Sequence, residues 1–366
     1  MKRLGNIYAQ IISRENCKAA IQNAAHDKRG RPEVQKVLNR LDAYADALHA
    51  MLVGKTYKPS IYRTIKVRDG PSKKERAVQV PRYWPDQCVH HALMNVLEQP
   101  FLQRMYYWSC GSLPGRGIRR AKQGVERATL HDQRKAKYAA KLDIKKCYAS
   151  IPNDRLKAAF RRIIKDADAL WIIDAIIDSC EGLPIGNYTS AWFANLYLTP
   201  LDWYIKQELG VEHYVRYMDD MVLMGPNKRK LHKAIRAIQT YTREKLGLEL
   251  HDNWNVFRVR REGDGNKNRP IDFVSYCFCL GYTTLRKRNA LAIMRQSRRI
   301  QKVLERGGRI TYKTAAGFTS RAGQVKHCNA DGLKRKYIDV VPMKLLKGVI
   351  RNESKRKHGA DERIQH

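Results

Sequence analysis

The sequence predicts a mixed α/β chain made of two or three subdomains. Three observations predict it. Apolar residues recur at helical spacing near the N-terminus, at Val34, Val37, Leu38, Leu41, Ala45, Leu48, Met51 and Leu52. Residues 213–224 read as strand, turn, strand, with apolar runs on both sides of Asp219-Asp220. From residue 286 onward the chain reads as helical and basic. A length of 366 residues exceeds that of a typical single domain. The hydrophobic share, 43%, is enough for a core.

The elements follow in chain order. The apolar stripe over 34–52 predicts one helix, opened by Pro32, whose ring pre-sets the first-turn backbone, and closed by Gly54. Strand-like pieces at 61–67 and 77–81 flank Asp69-Gly70-Pro71-Ser72-Lys73-Lys74, which resembles a basic β-hairpin. A helix over 86–97 is ended by Pro100, which cannot donate to the preceding turn. Gly111-Ser112-Leu113-Pro114-Gly115-Arg116-Gly117 is a glycine-punctuated loop. It reads equally as a phosphate cradle or a tight turn, because its spacing matches neither dinucleotide- nor nucleoside-triphosphate-binding signatures. Residues 138–144 predict a buried strand ending in charge. Asn153 or Asp154 then caps a helix with Leu156, Phe160, Ile163 and Ile164 on one face. A loop at 182–186 precedes an aromatic-rich helix at 190–198, and 271–285 predicts two more short strands. Residues 355–366 are polar and predict a disordered tail.

Charge narrows the partners. There are 71 basic against 35 acidic residues, a net charge of +36. Such an excess calls for a polyanion. Basic residues are spread along the chain and no long basic amphipathic helix stands out, which favours nucleic acid over a membrane surface. Residues 281–366 alone hold 22 Lys and Arg against 6 Asp and Glu. No run of 18 apolar residues occurs, so no membrane span is expected. Met1-Lys2-Arg3-Leu4 is not followed by an apolar signal region, so a cytoplasmic protein is expected. The eight cysteines include no CxxC pair, and Cys277 and Cys279 alternate with Phe278 as in a strand. Reduced buried thiols are the expectation, not a zinc site.

The candidate chemistry sits on aspartates. Phosphoryl transfer to a primer 3′-hydroxyl uses two divalent ions roughly 4 Å apart. Mg²⁺ prefers a few carboxylates together with substrate oxygens. Two or three aspartates must then converge on one point. Tyr217-Met218-Asp219-Asp220 places two adjacent carboxylates at a hairpin turn between apolar strands, where they repel each other and resist desolvation. A cation would offset that cost. Alone, the pair also reads as an ordinary polar turn. Asp143, 76 residues upstream of Asp219 at the end of a strand-like segment and followed by Tyr148, gives the pair a third carboxylate.

Read together, these segments resemble reverse transcriptases. Tyr-Met-Asp-Asp between hydrophobic strands is similar to the family's central motif. Asp143 to Tyr148, followed by Ala149-Ser150-Ile151-Pro152, looks like its first aspartate motif. Gly182-Leu183-Pro184-Ile185-Gly186-Asn187-Tyr188-Thr189-Ser190 falls between the two, in the family's order. The resemblance spans about residues 60–340 and is nearest to bacterial diversity-generating retroelement enzymes. Their Leu-Pro-Ile-Gly-Asn pattern, the following aromatic helix Trp192-Phe193-Ala194-Asn195-Leu196-Tyr197-Leu198, residues 86–93 and Gly323-Gln324-Val325-Lys326-His327-Cys328 are all similar. Group II intron and retron enzymes look more distant.

The resemblance implies a right-hand polymerase fold: α/β fingers and palm with an antiparallel sheet, and a helical thumb. It implies an N-terminal helical extension over 1–58, fingers over 59–135, palm over 136–283 and thumb over 284–354. Asp143 and Asp219 would hold two Mg²⁺ ions, with Mn²⁺ as the alternative, assisted by Asp220 and the Ile144 carbonyl. Tyr148 matches the steric gate against ribonucleotides. Lys74 and Arg76 would grip the triphosphate. Gly186 would let the backbone approach the incoming base pair. Ile185 stands where accurate relatives place Gln, which implies error-prone copying opposite template adenines. Expected partners are template RNA, an RNA–DNA heteroduplex recognised by its A-like shape, deoxynucleoside triphosphates and a small basic helical accessory protein. The host is expected to be a bacterium or a phage.

Three departures bear on the subtype. Ala191 replaces a signature Gln. Gln87 stands where Arg is usual. No lysine able to protonate pyrophosphate occurs around Leu250-His251-Asp252-Asn253-Trp254, where His251 is the substitute. The alternatives are a defence-associated reverse transcriptase, including a terminal-transferase-like one, and a non-catalytic RNA-binding, maturase-like protein.

Overall fold

Alternating apolar residues at 61–80 and 213–225 pair with themselves in the computed structural model of the chain, which describes residues 2–68, 75–265 and 267–363. Strand β1 (Arg63–Arg68) lies antiparallel to β2 (Glu75–Val80), with Arg63 opposite Val80. A five-stranded sheet takes β3 (Ser109–Cys110), β4 (Tyr138–Asp143), β5 (His213–Tyr217), β6 (Asp220–Gly225) and β7 (Val256–Arg258) in the order β3-β5-β6-β4-β7. Strand β3 runs parallel to β5, with Ser109 opposite Arg216. Strands β8 (Ile271–Phe273), β9 (Tyr276–Cys279) and β10 (Tyr282–Leu285) form an antiparallel sheet in the order β10-β9-β8.

The chain divides into two compact units. The first comprises Met1–Arg120, Leu142–Met221 and His232–Trp254, and the second Ala121–Lys141, Val222–Leu231 and Asn255–His366. In the first unit, helix Tyr188–Trp203 is buried on nearly every side and helix Cys88–Arg104 over most of its first half. Val89, Leu93, Leu97 and Phe101 of one and Trp192, Phe193, Leu196 and Leu201 of the other all lie in the core. Phe160 of helix Asn153–Arg161 packs edge-on against Phe193, with ring centroids 4.6 Å apart. The second unit builds its core around Phe273, Phe278, Ile293, Ile300 and Phe318. Its helices include Lys287–Glu305, Tyr312–Val325 and Met343–Arg363. Among the described residues, no helix is long and apolar enough to cross a membrane.

Several expectations need correction. The stripe over 34–52 is split into helices Pro32–Leu38 and Leu41–Val53, because Arg40 leaves helical backbone at φ −130°, ψ 42°. Pro100 does not end its helix. It sits inside Cys88–Arg104, and the final turn is held by Arg104 Nη1 donating to the Pro100 carbonyl at 2.9 Å. Residues 271–285 form three strands, not two, since Gly281 takes a left-handed φ of 94° that turns β9 back as β10. Helix Met343–Arg363 reaches into the stretch read as a tail, of which residues 364–366 lie outside the described residues. Asn153 caps no helix; its amide donates instead to the carbonyls of Ile177 and Cys180. The eight cysteines are free thiols, and Cys277 and Cys279 lie on β9 as expected.

Candidate active site

The turn between β5 and β6 consists of Met218 and Asp219. Met218 takes a left-handed φ of 55°. A two-residue hairpin with a left-handed first position ordinarily uses glycine. A side chain there costs on the order of 1–3 kcal/mol and persists only when its surroundings over-determine it. They do so here. The Met218 N–H donates to the Cys110 carbonyl at 2.9 Å, and its carbonyl accepts from Arg216 Nη1 at 2.9 Å. Gly111, itself at φ 97°, makes room for the side chain: a Cβ on it would lie 2.6 Å from Met218 Cγ.

Arg216 is fully buried. It donates from Nε to Asp202 Oδ1 at 2.8 Å and from Nη2 to Asp202 Oδ2 at 2.6 Å, a bidentate pair. Nη1 also donates to Asn195 Oδ1 at 2.9 Å. Asp202, fully buried as well, further accepts from the hydroxyls of Tyr214 (2.7 Å) and Ser109 (2.6 Å). Asn195 donates to the Gly111 carbonyl at 3.2 Å. Burial works against the Arg216 charge, but Asp202 outweighs it and holds the guanidinium above its ordinary range.

Asp143 ends β4, and the chain beyond it is pinned to residues 249–251. His251 N–H donates to the Asp143 carbonyl and Lys145 N–H to the Glu249 carbonyl, both at 2.8 Å. These bonds flank the bridge between Ile144 and Leu250, and the Ile144 carbonyl takes no part in them. Asp143, Asp219 and Asp220 are all half-buried. Burial, then the Asp219 charge, and to a lesser degree the Asp143 charge push the Cys147 thiol up to about 12. Both charges, 76 residues apart in sequence, thus reach the Cys147 thiol. Burial, then Cys147 and Asp219, also raise the Tyr148 hydroxyl.

The loop at 182–186 is held by backbone. Leu183 N–H donates to the Tyr148 carbonyl at 2.8 Å, and a Cβ on Gly182 would sit 2.9 Å from that same oxygen. Gln79 N–H on β2 donates to the Ile185 carbonyl at 2.7 Å. Gly186, at φ 126°, has no room for a Cβ, which would lie 2.3 Å from the Gln79 carbonyl oxygen. This glycine permits a close approach to β2. The Ile185 side chain is 41% exposed.

Lys74 lies outside the described residues. Arg76 lies on β2 opposite Val67, and its side chain is outside them too. Gln87, read as a departure, is buried; it accepts from Lys28 Nζ at 2.5 Å and donates to the Pro81 carbonyl at 3.0 Å. His251 is exposed and adjoins Asp143 through its backbone.

Residues 70–276, more than half of the chain, match the reverse transcriptase (RNA-dependent DNA polymerase) family. The chain belongs to that family. Its mixed helix-and-sheet architecture is the right-hand polymerase class that the family carries. Over 153 residues it is 29% identical to a retron Ec73 reverse transcriptase from Escherichia coli, covering 38% of this chain and 48% of that protein. The match thus spans about half of the relative's length. Among solved structures, apo telomerase from Candida tropicalis aligns at 15% identity and a TM-score of 0.45, covering 61% of this chain and 47% of that one. Telomerase from Candida albicans, solved with a fragment of telomeric RNA, aligns at 11% identity and a TM-score of 0.46, covering 78% and 61%.

Sequence reasoning in this reverse transcriptase did not single out Arg216 or Asp202, named Gly111 only within a loop that reads as a phosphate cradle or a tight turn, and named Asn195 only within the aromatic helix. A signal was present. Arg216 is a cation inside an apolar strand, and Asp202 an anion inside an apolar helix. Isolated buried charges are too costly to stand without partners, so the two predict each other.

Proposed function

We propose that the chain is an RNA-directed DNA polymerase that extends a primer along an RNA template. The observation that carries this reading is the family match over residues 70–276, which includes the half-buried Asp143, Asp219 and Asp220 and a strained turn fixed from both sides. The donor set is all-oxygen and half-buried, which fits Mg²⁺. Asp143 and Asp219, with Asp220 and the Ile144 carbonyl, would hold two such ions, with Mn²⁺ as the alternative. When bound, they lower the pKa of the attacking hydroxyl and neutralise the leaving pyrophosphate.

The remaining roles belong to the chain's own groups. The Tyr148 ring closes the space that a ribose 2′-hydroxyl needs. Lys74 and Arg76 bind the triphosphate of the incoming deoxynucleotide. Gly186 lets the backbone approach the incoming base pair. Residues 59–135 serve as fingers, 136–283 as palm and 284–354 as thumb, enclosing template RNA and the RNA–DNA heteroduplex. Ile185 offers the base pair no hydrogen bond, so the enzyme copies with errors opposite template adenines, as in a diversity-generating retroelement with a small basic accessory protein. The cellular setting is the cytoplasm of a bacterium or phage host.

The likeness to a retron enzyme favours a second reading, a retron-type reverse transcriptase. Sequencing of cDNA made on a defined RNA separates the two: errors concentrated at template adenines support the first. The test of the shared activity is Mg²⁺-dependent DNA synthesis on a primed RNA. Wild type extends the primer and Asp219→Ala does not. Synthesis surviving in Asp219→Ala would sink the mechanism.

A further inference from the structure

Asn153 opens helix Asn153–Arg161 but turns its side chain away from it and makes no cap bond. Its Nδ2 donates to the Ile177 carbonyl at 3.0 Å and to the Cys180 carbonyl at 2.8 Å, and its Oδ1 accepts from the Gly182 N–H at 3.1 Å. The Ile177 carbonyl belongs to the last turn of helix Ala167–Ile177, where carbonyls lack intrahelical donors. Cys180 and Gly182 lie in the stretch that leads from that helix to Ile185. One amide thus satisfies three backbone groups of the chain that enters the loop at 182–186. Two acceptors and one donor around it fix which way the amide points.

The same loop lies against the segment that carries Tyr148. Leu183 N–H donates to the Tyr148 carbonyl at 2.8 Å. Gly182, at φ 67°, passes so close that a Cβ on it would lie 2.7 Å from the Ala149 carbonyl oxygen. Among the described residues, the Leu183 bond and the three bonds of Asn153 are the hydrogen bonds that join residues 148–153 to 177–183. Beside them, a cavity of about 660 Å³ separates residues 149–153 from Asp178 and residues 180–182. Side chains do not fill that gap, so hydrogen bonds set the spacing there. Three of the four come from Asn153.

Resting on the proposed gate role of Tyr148, we infer that Asn153 is a positioning residue for sugar selection. It fixes the distance between the Tyr148 segment and the loop that carries Ile185, and so holds the Tyr148 ring where a ribose 2′-hydroxyl collides with it. A steric gate discriminates only while its ring cannot retreat. The Tyr148 ring is half-buried, and its carbonyl is tied to Leu183. Without Asn153, residues 180–182 lose their anchor and that tie loses its backing. A displacement of about 1 Å at a reacting centre can change a rate by about a hundredfold. A merely structural brace would lower stability and slow deoxynucleotide and ribonucleotide addition alike. A positioning residue changes their ratio.

The test is single-nucleotide primer extension by the full chain opposite a template cytosine, with kcat and KM read for dGTP and for GTP. Asn153→Ala should raise kcat/KM for GTP about tenfold and lower that for dGTP by no more than about threefold, so the preference for the deoxynucleotide falls at least about tenfold. Asn153→Asp keeps the shape and the Gly182 bond but has no N–H to give Ile177 and Cys180, and it should lose the preference as alanine does. Circular dichroism and melting establish which variants fold, and the isosteric aspartate variant carries the test where the alanine one does not. Tyr148→Val closes a cycle: alone it should abolish the preference, and Asn153→Ala should add nothing on that background. If Tyr148→Val loses the preference while folded Asn153 variants keep it within about twofold of wild type, the inference alone is overturned. Effects of Asn153→Ala and Tyr148→Val that add in full overturn it too, because Asn153 then does not act through Tyr148. If Tyr148→Val keeps the preference, the gate reading fails and the inference falls with it.

Discussion

The Met218-Asp219 turn is fixed by a main-chain bond and a buried side-chain network, whereas the Ile185-Gly186 loop is fixed by backbone alone. At the turn, Arg216, Asp202 and Asn195 converge from a strand and a helix, all fully buried, to hold one strained carbonyl. At the loop, one main-chain bond from Gln79 and the absence of a Cβ on Gly186 set the position, and the Ile185 side chain is left in the open. On the proposed function, the difference divides the tasks of one site. Carboxylates that must hold their geometry within fractions of an ångström need a rigid frame. A residue that tunes selectivity is better placed where its side chain can change without disturbing the frame.

The comparison is broken most severely at the turn. Asp202→Asn leaves Arg216 as a buried, underpaired charge, so stability should fall by about 3–5 kcal/mol and DNA synthesis should vanish, as read by denaturant melts and primer extension. Asp202→Leu with Arg216→Met should recover much of that stability, since buried ion pairs are often replaceable by apolar groups. It should not recover synthesis, because the Met218 carbonyl loses its donor. A double variant that copies RNA at the wild-type rate would show that the frame does not position Asp219.

Gly186→Ala attacks the loop through its backbone. The new Cβ meets the Gln79 oxygen at φ 126°, a strain of about 1–3 kcal/mol, so synthesis should drop roughly tenfold to a hundredfold. The loss should be the same on every template, and the melting temperature should fall by a few degrees.

Acid should loosen the loop side before the turn. His91 stacks on Tyr188, with ring centroids 4.0 Å apart, and burial with the Lys28 charge pushes it down to about 4. Its folded value lies below the unfolded 6.5, so its neutral form stabilises fully above pH 6.5. That contribution is lost as pH falls from 6.5 towards 4, by at most about 1.4 kcal/mol per pH unit. His91→Phe should flatten the melting temperature against pH over that window. An unchanged slope would assign the acid response elsewhere, with fully buried His90 the next group to replace.

The smallest expected effect on rate is at the exposed side chain. Ile185→Gln should leave synthesis within about twofold and lower misincorporation opposite adenine several-fold, since a hydrogen bond discriminates where an apolar contact does not. Unchanged error spectra would detach Ile185 from fidelity.

Much of the candidate site was legible because it is local. Asp219 and Asp220 announce themselves as carboxylates at a turn between apolar strands, and Asp143 as one at a strand end. Elements were legible where periodicity is strong, as in β1, β2, β5 and β6. The break at Arg40 and the passage of the helix through Pro100 were not, since backbone geometry and tertiary burial override the local signals of proline and an unbroken apolar stripe. Residues 34–52 carry the same stripe whether one helix or two bear it.

By itself, then, the sequence determined the chemistry on offer: three aspartates in order, a gate-like tyrosine, a glycine loop and a large positive charge for a polyanion. Only the tertiary structure decided how that chemistry is held. Arg216 and Asp202 are 14 residues apart, and Gly111 lies 107 before Met218. Gly186 answers to a carbonyl on β2, also more than a hundred residues upstream. A charge inside an apolar element announces that it needs a partner, but its contacts come from burial and not from sequence proximity, which is what makes an unpaired charge or a crowded Cβ too costly to tolerate.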